Sequence, residues 1–556
     1  MADPIELAPD YYLSNFRALV DFVADRYAAL LSDGEHQFQQ TFDTLDIDSQ
    51  RLYVRLLSRK GVPSSAGALF RLHKLHYAEI ADLPQAAERL VAAGLLQRNP
   101  ALALEQLLPL FTKAELLAAS PAPLAKTLKR PDVEQALLQQ PPQTAALLGA
   151  DTILAVQAAE HFDTFKLCFF GNLNQDLTDY VLRDLGLYRY ERYPLDAQHL
   201  PFTSRAQIER HLRYYDCLAQ LDDALETGAD AILALAAQLP DDLEGIEGDA
   251  ALARRLDRLR LTLARQLERL DALDAAEQLY RHCSRPPARE RRARIAIKRG
   301  DVDRGLELCR EILAAPLCEA EQLFAESFGH RSAKRTVHAH TWPAPARYRP
   351  PTETAVLPQL AERVELLAAA HLQTEASTAQ CFYVENTLIN GVLGLYIWDI
   401  LFAPVPGAFF NPFQIAPSDF RSADFYPQRR AAFEQRLAEL DSAQLAQRVW
   451  QHYDDKFGIA NPLVAWEALP VELLQLALQR IPIEHWQALF RRLLGDITEH
   501  RSGLPDLILF PAEGGYELVE IKGPGDRLQQ NQQRWLAYFA RHQIPHRVLH
   551  VEWQQP

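Results

Sequence analysis

Apolar side chains recur at i, i+3, i+4 and i+7 along YYLSNFRALVDFVADRYAALL, the spacing of a helix with one buried stripe. The period returns in QRLYVRLLSRKG. There Leu52, Val54, Leu56 and Leu57 lie opposite Arg51, Arg55 and Arg59, which stand four apart beside Lys60. Residues 11–80 therefore read as helices. Between 81 and 165 the helices become short and Leu/Ala-rich, interrupted by prolines, and Thr112 with Glu115 forms a capping-box signature. Residues 166–225 mix aromatic and polar positions, and FKLCFFGN and YRYERYPLD are expected as short strands or irregular structure. The helical period dominates again from 205 to 320. LDAAEQLYRHC and DVDRGLELCREIL resemble one another at an offset of roughly 29 residues, which predicts stacked helical hairpins of tetratricopeptide type. Residues 326–358 are rich in proline and basic residues, break the period and read as a linker. After it, Leu388 to Phe410 is the most apolar stretch, but Asn390, Asp399 and two prolines break it. A membrane span needs about 20 uninterrupted apolar residues, so a buried core helix is expected instead. GLPDLILF and GGYELVEIKG then switch to strand character, the second opening on a Gly-Gly turn signal and alternating along its length.

A chain of 556 residues should hold three or four domains at roughly 150 residues each. Its 48% hydrophobic and 24% charged residues exclude a disordered or collagen-like chain. The net charge is −15, so any nucleic-acid contact must come from basic residues gathered locally. Three such clusters occur: Arg51, Arg55, Arg59 and Lys60; Lys113, Lys126, Lys129 and Arg130; and Arg285, Arg289, Arg291, Arg292, Arg294, Lys298 and Arg299. A solvated basic face is the simpler reading of each, and a phosphate-contacting face the functional one. The six cysteines are scattered without a CxxC pair and read as reduced thiols. His338 and His340 make an HxH pair with no third ligand near in sequence, so metal binding there is not expected. MADPIELAPD has neither a basic nor an apolar leader region, which points to a soluble, cytoplasmic protein with no membrane association.

The chemistry gathers near the C-terminus. Asp506 precedes one strand-like run, and Glu520 and Lys522 lie two apart, on one face of the next. Thirteen residues separate the two acids, enough for a strand, a turn and half a strand back. Both carboxylates and the lysine can therefore meet at one point. Hard carboxylate oxygens bind cations such as Mg²⁺ or Mn²⁺, which polarise a phosphodiester. An ammonium group beside them orients a nucleophile and offsets developing charge. On residue types alone, a surface Asp with an exposed Glu–Lys pair on an edge strand is the simpler reading.

The wider strings are more specific. GLPDL followed by VEIKGPGDRLQQNQQRWL resembles the signature of the VRR-NUC branch of the PD-(D/E)XK nucleases, matching at Gly503, Pro505, Asp506, Glu520, Lys522, Gly523, Pro524, Asp526, Arg527, Leu528, Gln532 and Trp535. ENTLINGVLGLYIWDILF with Pro417, Asp419 and Phe425 resembles one family within that branch, the Fanconi-associated nucleases. QRLYVRLLSRKG and the segment Thr112–Leu116 are similar to the same family's N-terminal and SAP-type regions.

The resemblance implies a multidomain, mainly α-helical chain. Residues 1–80 would be a helical DNA-binding domain, 81–165 a SAP-like domain, 166–340 a tetratricopeptide-like repeat domain and 341–556 an α/β nuclease domain with a mixed sheet. It further implies Mg²⁺ or Mn²⁺ held by Glu385, Asp506, Glu520 and the carbonyl of Ile521, with Lys522 as catalytic lysine and Glu385 on a helix. Asp526 and Arg527 would fix the strand-to-helix turn, while Arg501 and Gln532 flank the site toward DNA. Asp419 matches the family, a local helix cap being its simpler reading.

The implied activity is 5′ flap endonuclease and 5′–3′ exonuclease action on flapped, nicked or crosslinked DNA, in interstrand crosslink repair. No Cys/His cluster precedes the first helices, so a ubiquitin-binding zinc finger is not expected. PPARERRARIAI carries Glu290 among its arginines, so preference for a 5′-phosphorylated end does not follow. Two rivals are a DNA-binding scaffold with a silent site and a nuclease resolving four-way junctions.

Overall fold

The computed structural model describes residues 8–142, 147, 151–175, 177, 188–240, 248–334, 336–337, 340, 342–375 and 380–554. His338 of the HxH pair lies outside them. The protein is mainly helical, with a mixed sheet at its C-terminal end. It divides into two compact units, residues 1–188 with 201–212, and residues 189–200 with 213–556.

The first unit packs helices Tyr11–Tyr27, Asp33–Thr44, Ile47–Leu57 and Ala159–Phe170 around an aromatic core. Phe16 contacts the rings of Phe42 and Phe162 at 4.6 and 4.8 Å. Ser32 starts the second helix with a capping box, its Oγ accepting from Glu35 N while Glu35 Oε2 accepts from Ser32 N. Glu35 is itself buried, and it accepts from Thr164 Oγ1 at 2.6 Å and Arg205 at 2.5 Å. FKLCFFGN, expected as strand or irregular, lies mostly in the helix Ala159–Phe170. Seven of that helix's side chains are buried, so tertiary packing overrides the strand preference of its phenylalanines, and Glu160 with the Asp163–Lys166 ion pair marks its outer face. YRYERYPLD is irregular. A small antiparallel sheet in the order β1 (Leu69–Arg71), β3 (Ile153–Val156), β2 (Leu96–Arg98) completes the unit. Thr112 caps Lys113–Ala119 with the reciprocal Glu115 bond.

The second unit begins with helices that pack on their chain neighbours, among them Ala250–Arg269, Leu273–Arg281, Ala288–Lys298, Val302–Ala314 and Glu319–Ala333. The last of these runs well into the stretch expected as linker. Trp342 folds back against it, packing on Gly329 and donating from Nε1 to the Glu326 carbonyl at 3.1 Å.

The C-terminal sheet has the order β4 (Thr352–Leu357), β8 (His546–Trp553), β7 (Glu517–Lys522), β6 (Leu507–Phe510), β5 (Gln380–Tyr383). β8 pairs in parallel with both β4 and β7, while β6 runs antiparallel to both neighbours. Alternation divides the strands between two cores. Leu507, Val519, Ile521 and Leu549 pack with Ala368, Ala369 and Leu372 of helix Val364–Glu375. Ile508, Leu518 and Val548 join a larger core with Leu388, Trp486, Trp535 and Phe539. Burying side chains of this kind contributes about 1.5–3 kcal/mol each.

Leu388–Phe410 is buried as expected, but it forms two helices, Leu388–Tyr396 and Trp398–Leu401, followed by irregular chain. Asp419 is not a helix cap. Its carboxylate receives both terminal nitrogens of Arg429, at 2.7 and 3.2 Å, inside the core. Asp424 in the same segment pairs with Arg254 and Arg285 and ties the earlier helices to this region.

Candidate active site

Strand register brings the acids together. Tyr383 on β5 pairs with Leu507 on β6, and one residue further Val384 N donates to the Asp506 carbonyl at 2.8 Å. Leu507 also pairs with Val519 on β7, so the continuing register sets Asp506 beside Glu520. Ile521 N donates to Asp506 Oδ2 at 2.8 Å. Glu385, two residues past β5, stands at the same end of the sheet. It belongs to a turn rather than the expected helix, because Asn386 adopts φ +54° and the helix starts only at Leu388.

A network holds this corner. Asn386 Oδ1 accepts from Leu504 N at 3.1 Å, and Asn390 Nδ2 donates to the Arg501 carbonyl at 2.8 Å. Trp535 Nε1 donates to the carbonyls of His500 and Ser502, both at 3.1 Å. Gly503 has φ +81°, and a Cβ there would meet the Asn531 side chain at 2.7 Å and its backbone at 3.1 Å. Only glycine fits both constraints, which accounts for the first residue of GLPD. Gly523 N donates to Asp526 Oδ2 at 3.1 Å and shapes the exit from β7.

Asp506, Glu520 and Lys522 are all buried. Lys522 Nζ and Gln532 Nε2 each reach Glu520 Oε1 at 2.6 Å. Burial pushes the Glu520 carboxyl up, the charge of Asp506 adds to this, and Lys522 opposes it. Burial raises Asp506 too, with Glu385 adding to the rise while the Ile521 amide and Lys522 oppose it. Glu385 accepts from Tyr383 Oη, and Asn386 Nδ2 stands 3.3 Å from its other oxygen.

This donor set suits a divalent cation. Three carboxylates supply hard oxygens, and the two buried ones repel each other in a medium that disfavours their charge. Among the described residues no three Asp, Glu, His or Cys side chains are already arranged as a metal cage. Glu520 is engaged by Lys522 and Gln532, and Glu385 by Tyr383.

The expected DNA-binding residues fall into two groups. Arg51 pairs with Asp10 and Asp48, and Arg55 with Glu79, so the basic face expected along that helix is divided. Lys113 donates to the Lys126 carbonyl, Arg130 pairs with Glu134, Arg289 with Glu321 and Arg291 with Glu268. Gln532, expected to face DNA, is turned onto Glu520. Lys60, Lys126 and Lys129 are exposed, and Arg59 bonds only to the Tyr77 hydroxyl among the described residues. Arg294 lies over the rings of Phe324 and Phe328. Burial lowers Arg501, as does the like charge of Arg421.

The sequence reading missed Tyr383, Arg363 and Glu365. Tyr383 stands two residues before Glu385, a same-face spacing on a strand that would have drawn attention to it. Arg363 donates to Tyr383 Oη at 2.9 Å, and the charge of Glu365 reaches Asp506. Both come from a helix start distant in sequence, with no local signal.

Residues 441–553 match the VRR-NUC domain, and residues 10–97 match the FAN1, HTH domain. The first match includes Asp506, Glu520 and Lys522 but stops short of Glu385. The chain is 37% identical to the Fanconi-associated nuclease 1 homolog of Pseudomonas aeruginosa, over 98% of this chain and 96% of that one. It is 25% identical to the Arabidopsis thaliana homolog over 94% of its length but spans 65% of that longer protein. A crystal structure of paFAN1 bound to 2nt 5′ flap DNA with gap superposes with a TM-score of 0.83 at 36% identity, covering 100% of both chains.

Proposed function

Because the chain belongs to the Fanconi-associated nuclease family, we propose that it is a structure-specific DNA nuclease that cuts 5′ flaps and degrades DNA 5′ to 3′ in interstrand crosslink repair. The single observation that carries this reading is the β6–β7 register, which sets buried Asp506 beside Glu520 with Lys522 on the same acid. The VRR-NUC class implies a divalent-metal requirement, and we assign Mg²⁺ or Mn²⁺. Glu385, Asp506, Glu520 and the Ile521 carbonyl would hold it. When bound, such an ion supplies Lewis-acid activation of the phosphodiester and of water. Lys522 orients the attacking water and offsets charge gathering on the phosphate. Gln532 keeps Glu520 aligned from the following helix.

The SAP-like and tetratricopeptide-like assignments of 81–165 and 166–340 belong to the same proposal, as does the division into domains at 80, 165 and 340. Phosphate contacts are assigned to the cations not taken up by an internal carboxylate: Arg59, Lys60, Lys126, Lys129, Arg294 and Arg501. Such contacts position a duplex without reading its sequence, so selectivity comes from the shape of the branched DNA. No helix among the described residues is long and apolar enough to cross a membrane. A cytoplasmic location belongs to the proposal because the proposed substrate is DNA.

Comparing 5′ flap, 3′ flap and four-way-junction substrates with Mn²⁺ tests the reading. Fastest cleavage is expected on the 5′ flap. Preference for the junction would favour a resolving enzyme, and binding without cleavage a silent scaffold.

A further inference from the structure

We infer that Tyr383 is a positioning residue for Glu385, held in that role by Arg363; the inference rests on the nuclease reading. An ionised carboxylate can only accept hydrogen bonds, so Tyr383 Oη must donate to Glu385 Oε2. The phenol has one proton to give. Arg363 Nη2 donates to the same Oη at 2.9 Å and occupies a lone pair there, so the hydroxyl proton is left for the glutamate. The guanidinium also lies over the Tyr383 ring, 4.6 Å from its centroid, and pairs with Glu365. Among the described residues, Glu385 Oε1 has a single, long 3.3 Å contact, from Asn386 Nδ2. One carboxylate oxygen is thus anchored, and the other remains open to a cation. Without the Oη bond, Glu385 would sit on a turn with that long amide contact as its remaining side-chain hydrogen bond among the described residues. Hydrogen bonds to a ligating carboxylate typically change metal affinity or activity 10–100-fold when removed.

The test is Mn²⁺ titration of the full chain without DNA, followed by electron paramagnetic resonance. The variants are Tyr383→Phe, which keeps the ring, Glu385→Gln, and the two combined. Tyr383→Phe should weaken Mn²⁺ binding about 10-fold and add nothing in the Glu385→Gln background, because it acts through that carboxylate. Arg363→Met, at an exposed position, should weaken binding by a smaller factor, about two- to threefold. Melting temperature and flap-DNA binding in EDTA should stay at the wild-type values. Wild-type affinity in Tyr383→Phe, or the same loss with and without Glu385, would overturn the inference while leaving the nuclease reading intact. A wild-type chain that neither binds Mn²⁺ nor cleaves would overturn both.

Discussion

Asp419 and Arg429 provide the sharpest stability prediction. Their side chains retain 4% and 1% exposure, and two N–H···O bonds join them. Asp419→Ala would leave a guanidinium in the core with no counter-charge. Its remaining bond, from Nη1 to the Phe425 carbonyl at 3.3 Å, is weak compensation. Breaking a buried pair from one side costs about 3–5 kcal/mol. At about 1.3 °C per kcal/mol for a unit of this size, the melting temperature should fall by about 4–7 °C. Asp419→Asn keeps the shape and one acceptor, so its loss should be smaller. Replacing both residues with Leu and Met should recover much of the stability, since an apolar pair of similar volume carries no unpaired charge. Calorimetry on the full chain, resolving the transition of the second unit, is the assay. A loss below about 1 kcal/mol for Asp419→Ala would mean water or another group reaches Arg429, and the argument from burial would fail.

Other outcomes can be checked separately. Gly503→Ala should impair cleavage more than DNA binding, because the left-handed φ and the approach to Asn531 both disfavour a Cβ; a kinetic assay with parallel binding measurements reads the difference. Although burial alone would raise Glu319, its bond to His500 and the charge of Arg492 hold it down to about 2. Its stabilisation is therefore complete above the unfolded carboxyl value of about 4.5 and lost as pH falls toward 2, so Glu319→Gln should flatten the decline in melting temperature over that range. Replacing Lys126 and Lys129 with alanine should weaken DNA binding regardless of sequence and reduce the slope of log affinity against log salt by about one per lysine; an unchanged slope would remove them from the interface. Gln532→Ala should lower the cleavage rate with little effect on DNA affinity, measured by single-turnover kinetics.

The strand pair bearing Asp506, Glu520 and Lys522 was legible in sequence because alternation and a short connection leave little freedom in register. The capping box at Thr112 was legible for a similar reason: its partners are three residues apart. The helix Ala159–Phe170 was not, since Lys166 is the one polar residue from Phe165 to Phe170, too little to reveal a period there. The fate of the basic clusters was also hidden. Arg51 and Arg55 look like their neighbour Arg59, but Asp10 and Glu79, remote in sequence, take them up. Glu385 could be singled out only by likeness to a family, because its approach to the other two acids depends on β5 joining the sheet edge across a long helical insertion.

The most direct measurement is cleavage of a 5′-labelled flap in Mn²⁺ by the wild-type chain and by Asp506→Ala, Glu520→Ala and Lys522→Ala, with DNA affinity measured in parallel. Wild-type cleavage that is lost in all three variants while each still binds the flap is the predicted result. Undiminished cleavage by a purified Asp506→Ala, Glu520→Ala double variant would contradict the assignment of this corner of the sheet as the active site.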